Sequence, residues 1–335
     1  MKIIRNQTRR AIGALLVLLL MLATLSACTV RTVPSDATNL TGTTSTPAHT
    51  DGTTPASGLL FWEVTSPDGT ETMYLLGSIH VADDSIYPMP AVVMDAYQSS
   101  DLLAVEADIL AYEQDQEAIS CLTMRFFYTD GTTIREHLPA DLYEQAKTRL
   151  TDAGLYAEAY DWVHPFLWNS LLDQIVTDAS GLDAEHGVDR HFLELAHQSG
   201  KRIFEIESVE EQYNVFLGFS DELWTALIGE MLATEPEAQM ADLRDMYDLW
   251  KSGDVDAFTA YCETDLEGLS AEECALYEAY NDAVLTQRTL GMTQTALDLL
   301  QSGETCFLIV GAAHMVGETG LVESLQQFGY TVVQR

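Results

Sequence analysis

The chain has 335 residues, with 16 Lys and Arg against 52 Asp and Glu, and its formal net charge at pH 7 is −36. Such an acidic surface repels nucleic acid and anionic lipid headgroups, so the composition excludes a nucleic-acid-binding protein. The acidic residues are spread along the whole sequence, which indicates a surface that keeps an exported protein in solution.

The first 27 residues have the order of a signal peptide. A basic patch precedes the apolar run Ala11–Leu22, which is shorter than the roughly 20 residues that span a bilayer and so disfavours a permanent transmembrane anchor. The run leads to Leu25-Ser26-Ala27-Cys28, the pattern that signal peptidase II cleaves in bacterial lipoproteins. We therefore expect a membrane protein that is lipid-anchored through Cys28 on the extracytoplasmic face.

Three segments follow from this pattern. Residues 1–27 are predicted to be the lipoprotein signal peptide, and residues 28–58 the lipidated cysteine and a flexible tether. The tether is rich in Thr, Ser, Pro, Ala and Gly without apolar periodicity, so it cannot bury enough surface to fold. Residues 59–335 are predicted to form one domain, because no second linker interrupts them.

Within the domain, strand-like apolar runs alternate with helical segments. Leu59–Val64 and Thr72–Leu76 flank the turn sequence Ser66–Thr70 and predict a β-hairpin. Further strands are predicted at Leu102–Val105, Arg202–Ile206, Thr305–Val310 and Tyr330–Val333. Helices are predicted at Ala91–Gln98, Pro139–Leu150, Trp162–Val176, Gly187–Gln198, in three or four segments from Ser220 to Gln301, and at Gly317–Gln327. This pattern favours an α/β fold, with a central sheet covered by helices and a helical insert in the middle.

Two predicted strands end in the same short motif. The hairpin's second strand runs into Gly77-Ser78-Ile79-His80, and a later strand runs into Gly311-Ala312-Ala313-His314. Glu106 and Glu207 also follow apolar strands. Ligands bind at the carboxyl ends of strands in open α/β sheets, and glycine there lets the backbone approach a ligand closely. If the strands are parallel neighbours, both histidines and both glutamates share one pocket at a single sheet edge.

Each of these residues also has a structural alternative. A single histidine after a strand is usually a hydrogen-bonded structural residue, and a strand-end glutamate often begins the next helix. His186 and His191 flank a helix start without an acidic partner at ligand spacing, and we interpret both as surface or structural. The sequence contains no Gly-x-Ser-x-Gly elbow, no His-Glu-x-x-His helix and no phosphate-binding glycine loop.

The cysteines give little information about a site. Cys262 and Cys274 lie close in sequence and could form a disulfide in an exported protein, although the spacing does not decide this. Cys306 lies in an apolar run and is predicted to be a small buried core residue.

These motifs together resemble the TraB/PrgY/GumN family, to which the Tiki proteases are related. The matching segments are Tyr74–His80 with Tyr87-Pro88, Leu103–Glu106, Gly187–Asp189 with Lys201, Ile206–Gln212, Arg288 with Met292, Phe307–His314, Gly317, Gly320-Leu321 and Gly329–Val332. The resemblance covers nearly the whole domain. It departs at Thr289, where the family often has Asn or Asp, and this weakens any role assigned to that position.

The resemblance implies a metal-dependent peptidase that acts on peptide or protein substrates with Mn²⁺ or Co²⁺, and Zn²⁺ is possible. His80, Glu106 and His314 become candidate metal ligands, because neutral imidazole and carboxylate suit a divalent ion with an open position. Such an ion lowers the pKa of bound water, and Glu207 becomes the candidate acceptor of the water's proton.

Two further residues have weaker cases. Arg288 is a candidate for stabilising an oxyanion or holding a substrate carboxylate, and a structural ion pair is an equally good explanation. Asp189 is a possible additional site residue, although it lies where a helix N-cap belongs.

Two other functions stay open at this point. The family is distantly similar to erythromycin-esterase-like folds, in which a histidine and carboxylates activate water without a metal. The PrgY branch is associated with blocking peptide pheromones, which implies a surface protein that sequesters peptide without cleaving it. Turnover separates a binder from a peptidase, and metal content separates the two kinds of hydrolase.

Overall fold

The computed structural model describes residues 58–335. The predicted signal peptide, the lipidation site Cys28 and residues 29–57 of the tether lie outside the described residues. Across residues 58–335, no helix is both long enough and apolar enough to cross a membrane.

In the part of the chain that the structure describes, six strands form one mixed sheet. They are β1 (Phe61–Thr65), β2 (Thr72–Ser78), β3 (Leu102–Val105), β4 (Arg202–Glu205), β5 (Cys306–Gly311) and β6 (Thr331–Gln334). The predicted hairpin is confirmed, because β1 and β2 pair antiparallel with Phe61 opposite Leu76 and Thr65 opposite Thr72. In its turn, the Ser66 hydroxyl donates to Asp68 Oδ1 at 2.7 Å.

The strand order determines where the site can form. The sheet runs β4-β3-β5-β2-β1-β6, and its first four strands are parallel to one another. Their carboxyl ends therefore lie along one edge. The central strand β5 is buried at every residue, including Cys306, which explains its wholly apolar sequence.

Helices fill the connections between the strands. They are α1 (Ala91–Ser99) before β3; α2 (Ile109–Tyr112), α3 (Gln116–Arg125), α4 (Ile134–His137), α5 (Ala140–Asp152), α6 (Pro165–Ser180) and α7 (Val188–Ser199) between β3 and β4; α8 (Val209–Leu217), α9 (Asp221–Ala233), α10 (Pro236–Ser252), α11 (Val255–Cys262), α12 (Ala271–Asn281) and α13 (Gln287–Leu300) between β4 and β5; and α14 (Ala312–Met315) and α15 (Leu321–Gln327) before β6. The α/β prediction is confirmed. The helical part forms the two long connections on either side of β4.

The count of three or four helices after Ser220 is wrong, since five α-helices occupy Asp221–Leu300. Pro236 begins α10, and Asp254 caps α11 directly after Gly253, whose φ is 64°. A proline at the first helical position and a glycine in the left-handed region both separate consecutive helices. These breaks divide into shorter helices the segments that the apolar pattern predicts as longer ones.

A second hydrophobic cluster lies apart from the core around the sheet. It is built from α3, α6, α8, α9 and α12, and its fully buried members include Phe216 and Trp224. Ala107, Val209 and Val284 also belong to it, and each lies within four residues of Glu106, Glu207 or Arg288. The candidate site therefore lies where the main core meets this second cluster.

A π-helical turn, Asp282–Thr286, connects α12 to α13. The N–H of Gln287 bonds to the carbonyl of Asp282, five residues earlier, instead of four. Such turns are rare and occur frequently at functional sites. This one comes immediately before Arg288 and Thr289, and it leaves nearby carbonyls free to accept from their side chains.

Candidate functional site

The ends of β2, β3 and β5 bring two histidines and a glutamate to one place. Ser78 is paired with Gly311 across the sheet, and Val105 is paired with Ile309. The residues that follow therefore leave the sheet side by side. His80, Glu106 and His314 are all buried, with exposed fractions of 7%, 5% and 3%.

Gly311 lies where these side chains meet. A Cβ atom here would be 3.3 Å from Glu106 Oε1, 3.5 Å from His80 Nε2 and 3.7 Å from His314 Cδ2. Its N–H also donates to Glu106 Oε1 at 2.6 Å. The backbone itself lines the site, which is why this position takes a glycine.

His80 is held by a buried carboxylate. Its Nδ1 lies 2.6 Å from Asp189 Oδ2, and the hydroxyl of Ser78 donates to Asp189 Oδ1 at 2.7 Å. An ionised carboxylate only accepts hydrogen bonds, so the Nδ1 of His80 carries a proton. The N-cap interpretation of Asp189 is wrong, because the N-cap of α7 is Gly187 and Asp189 lies inside the first turn.

His314 is held by a hydroxyl instead. Its Nδ1 lies 2.8 Å from Thr289 Oγ1, and Thr289 is itself buried in the first turn of α13. At Thr289, where the sequence departs from the family pattern, a threonine hydroxyl thus contacts the imidazole of the second motif directly.

The other ring nitrogens are free. Among residues 58–335, neither His80 Nε2 nor His314 Nε2 makes a hydrogen bond. Both rings border Gly311. The site therefore presents two imidazole nitrogens whose opposite sides are already fixed by protein partners.

A buried ion-pair network closes the other side of the site. Arg288 Nη2 donates to Glu106 Oε2 at 2.5 Å and to Glu207 Oε2 at 2.7 Å, and Nε donates to Glu207 Oε1 at 3.0 Å. The amide of Gln212 donates to Glu106 and to Glu207, at 3.0 and 3.2 Å. Arg288 Nη1 donates to the carbonyl of Val284 in the π-helical turn. Arg288 thus forms the structural ion pair that the sequence allowed as an alternative.

Burial and charge act differently on the three central groups. Burial opposes protonation of His80, but the Asp189 carboxylate outweighs it and raises the pKa of His80 above its ordinary value. Burial, together with the positive charge of Arg288, lowers the pKa of His314 to about 3. Burial would raise the pKa of Glu106, but Arg288 and the imidazoles outweigh it and lower that pKa to about 2. Glu106 is therefore ionised and His314 neutral at pH 7.

The donor set fits a divalent metal ion in part. Neutral imidazole binds metals through one nitrogen while the other is hydrogen-bonded, and His314 meets that description. A carboxylate oxygen has two acceptor positions, so Glu106 Oε1 keeps one beyond its bond from Gly311. However, no group of three His, Cys, Asp or Glu side chains in residues 58–335 is arranged to hold one ion. Glu106 thus stays a predicted ligand.

Two site residues were missed from sequence. Ser78 and Gln212 lie within the matching segments but were given no role, and both donate to site carboxylates. The signal for Ser78 was its place inside the first motif. Gln212 lies on α8, one turn beyond Glu207, which places an amide near the same carboxylates.

The two histidines that were interpreted as surface or structural have other partners. His186 pairs with Asp84 at 3.0 Å, and the ring of His191 packs against Tyr87. Cys262 and Cys274 are both free, so the possible disulfide between them is not formed.

Comparison with known proteins identifies the family of the chain. The sequence profile of the TraB/PrgY/gumN family matches residues 60–334, which is almost all of the described part. The chain is 23% identical over 266 residues to the protein YbaP of Escherichia coli strain K12, covering 79% of this chain and 91% of YbaP. No solved structure matches the chain.

The chain is also similar to animal proteins named metalloproteases. It is 21% identical to metalloprotease TIKI1 of Xenopus tropicalis over 307 residues, which cover 78% of this chain and 59% of TIKI1. It is 24% identical to metalloprotease TIKI2 of the same organism over 305 residues, covering 77% of this chain and 57% of TIKI2. On the profile match over residues 60–334, this chain belongs to the TraB/PrgY/gumN family.

Proposed function

We propose that the chain is a hydrolase that cleaves amide bonds in peptide or protein substrates, with water activated between His80 and His314. One observation carries this proposal: both imidazoles use Nδ1 for a buried partner, neither Nε2 makes a hydrogen bond within residues 58–335, and both rings border Gly311. The distant similarity to proteins named metalloproteases supports the same reaction class.

The residues around His80 and His314 favour the activation of water by these two imidazoles. The Asp189 carboxylate orients the ring of His80 and makes its free nitrogen a stronger electron donor. His314 stays neutral and keeps its Nε2 lone pair available. Glu207 is the proposed acceptor of the water's proton. Its carboxylate would take that proton while it is also bonded to Arg288.

Arg288 positions two carboxylates, and we propose that one of its N–H groups contacts the substrate. Its bonds hold the carboxylates of Glu106 and Glu207 beside each other, and its charge lowers the pKa of the buried Glu106. One Nη1 hydrogen has no partner among the described residues. We propose that this N–H stabilises negative charge on the carbonyl oxygen of the substrate during attack.

A divalent cation, Mn²⁺ or Co²⁺ or else Zn²⁺, is the proposed cofactor. His80 and His314 would hold it, with Glu106 as the predicted third ligand. Bound there, such an ion lowers the pKa of a coordinated water towards roughly 7 and polarises a carbonyl.

A metal-independent hydrolase is the second candidate, and the Asp189–His80 pair favours it. A carboxylate behind an imidazole is the arrangement by which enzymes make histidine a general base. In this version His80 Nε2 takes the proton from water as the water attacks, and Asp189 stabilises the resulting imidazolium.

The sequence at residues 1–58 supports the place of action. A lipidated Cys28 and a tether of polar residues would hold the domain close to the outer side of the membrane. The domain could then change its orientation relative to the membrane. We propose that the enzyme acts there on exported or extracellular peptides.

The test uses the purified full chain and an equimolar mixture of synthetic peptides, with products identified by mass spectrometry. Wild type, His80→Ala and His314→Ala are compared with His197→Gln, a histidine whose Nε2 is already paired with Asp108 at 2.8 Å. We expect the first two variants to lose most turnover and the control to keep it, with all four folded by circular dichroism.

Metal dependence is measured on the same samples. Bound metal is quantified after purification without chelators, and turnover is measured with EDTA and after adding Mn²⁺, Co²⁺ or Zn²⁺. Turnover that persists in a metal-free sample supports the His80 general base. Peptide that is bound without being cleaved would overturn the hydrolase proposal in favour of a sequestering protein.

A further inference from the structure

Thr289 contacts His314 in a way that decides where the imidazole carries its proton. Thr289 Oγ1 lies 2.7 Å from the carbonyl oxygen of Leu285 and 2.8 Å from His314 Nδ1. A hydroxyl has one proton to donate and can accept from other donors. The carbonyl of Leu285 can only accept. The hydroxyl proton therefore lies towards Leu285, and the bond to His314 must run the other way.

From this we infer that Thr289 is a positioning residue: it accepts from His314 Nδ1–H, fixes the Nδ1-protonated tautomer, and so leaves the Nε2 lone pair to face the site. The inference about the tautomer stands on geometry alone. The effect of this tautomer on the binding of metal or substrate rests on the proposed function.

The surroundings prevent the hydroxyl from changing partners. Thr289 is 3% exposed, so water does not compete for its oxygen. Its side chain is β-branched, which restricts χ1 in a helix. The hydroxyl of Thr293, one turn later, donates to the backbone carbonyl of Thr289 at 2.8 Å and so does not compete for the Thr289 hydroxyl.

The two histidines are therefore held in the same tautomer by different chemistry. Asp189 supplies a charged acceptor to His80, whereas Thr289 supplies a neutral one to His314. A charged acceptor stabilises an imidazolium, and a hydroxyl does so far less. Thr289 thus gives the site one imidazole that is oriented without being made more basic.

The matched variants are Thr289→Val, Thr289→Ser and Thr293→Val. Valine has the shape of threonine without the hydroxyl, and serine restores it. Thr293 is the control because it is buried on the same helix, and within residues 58–335 its hydroxyl bonds only to the Thr289 carbonyl. The full chain is labelled with ¹⁵N-histidine, and long-range ¹H–¹⁵N spectra report which ring nitrogen carries the proton. His314→Gln assigns the signal.

We expect wild type, Thr289→Ser and Thr293→Val to show protonated Nδ1 and unprotonated Nε2 at His314. Thr289→Val should shift towards the Nε2-protonated form. Affinity for Co²⁺, measured by titration calorimetry, should fall about 10- to 100-fold in Thr289→Val alone.

An Nε2-protonated His314 in the wild type would overturn the inference, and that measurement needs no variant to fold. An unchanged tautomer in Thr289→Val, or an equal change in Thr293→Val, would overturn it as well. If the tautomer depends on Thr289 but no sample binds Co²⁺ or cleaves peptide, the positioning role stands and the proposed function fails.

Discussion

His80 Nδ1 lies 2.6 Å from Asp189 Oδ2, a contact between residues 109 positions apart in the chain. His80 follows β2, and Asp189 lies in the first turn of α7. Because Asp189 also accepts from Ser78, one carboxylate holds two residues of the same Gly-x-x-His motif. The motif is thus fixed by a helix that folds from a distant part of the sequence, and the pair joins the sheet to that helix.

The first prediction concerns this carboxylate. Asp189→Ala leaves the His80 ring and the Ser78 hydroxyl without their acceptor in a buried place, so we expect a loss of about 3–5 kcal/mol in the free energy of unfolding. Asp254→Ala is the control, since Asp254 is an exposed N-cap whose loss costs about 1 kcal/mol. Guanidinium unfolding measures both. Equal losses in the two variants would mean that Asp189 acts only as a helix-end residue.

The second prediction concerns Arg288. Arg288→Met leaves the buried Glu106 and the partly buried Glu207 beside each other without their cation. We expect a loss of about 3–5 kcal/mol in the free energy of unfolding and loss of turnover. Arg202→Met removes an exposed partner of Glu304 and should cost at most about 1 kcal/mol. A small effect at Arg288 would contradict the network described here.

Gly311 gives a third prediction. In Gly311→Ala, the new methyl group would lie 3.3 Å from Glu106 Oε1 and 3.5 Å from His80 Nε2, in the space between the two histidines. We expect at least a 10-fold fall in turnover and a loss of about 1–3 kcal/mol in stability, since the neighbours are packed too closely to yield freely. The readouts are peptide cleavage and guanidinium unfolding.

Gly291→Ala is the matched control for that change. Gly291 lies inside α13, and a Cβ there would meet nothing within 4 Å. Alanine at an open helical position should raise the free energy of unfolding by about 1 kcal/mol. If Gly311→Ala behaves like Gly291→Ala in both measurements, Gly311 does not border a working site.

The sequence predicted the strand ends well and their surroundings poorly. Apolar runs that stop at polar residues located His80, Glu106 and His314, because a buried strand has to end where charge begins. The contacts of Asp189 and Thr289 were not readable, since they depend on the strand order and on how α7 and α13 pack. Asp189 was misjudged for a local reason: residues near a helix start usually cap it, and here Gly187 takes that place.

The π-helical turn shows a second limit. Nothing in the local residues Asp282–Thr286 distinguishes this turn from ordinary helix, yet it precedes Arg288 and Thr289, which act on different parts of the site. Its carbonyls at Val284 and Leu285 accept from those two side chains. These two bonds join residues four positions apart, whereas the bonds of Arg288 and Thr289 to Glu106, Glu207 and His314 come from distant parts of the chain, which sequence periodicity does not reveal.

The last prediction lies outside the site. His164 is the N-cap of α6, where its Nδ1 accepts from the N–H of Phe166 at 3.2 Å. Burial lowers the pKa of His164 to about 4, from an ordinary value of 6.5. Well above pH 6.5 the ring is neutral in both the folded and unfolded chain, so this group adds no pH dependence there. Below that pH, His164 binds a proton in the unfolded chain but stays unprotonated in the folded chain until the pH approaches 4.

Stability should therefore fall by about 3 kcal/mol on account of His164 as the pH drops from 6.5 to about 4, and this contribution should level off below pH 4. Carboxylates titrate in the same range, so the measurement is the difference between wild type and His164→Asn in guanidinium unfolding at each pH. Asparagine caps helices well and does not titrate, so it keeps the N-cap and removes the slope. The free energy of unfolding of the variant, relative to that of the wild type, should rise steadily as the pH falls from 6.5 to 4. A constant difference across that range would show that His164 is protonated in the folded protein as readily as in the unfolded chain.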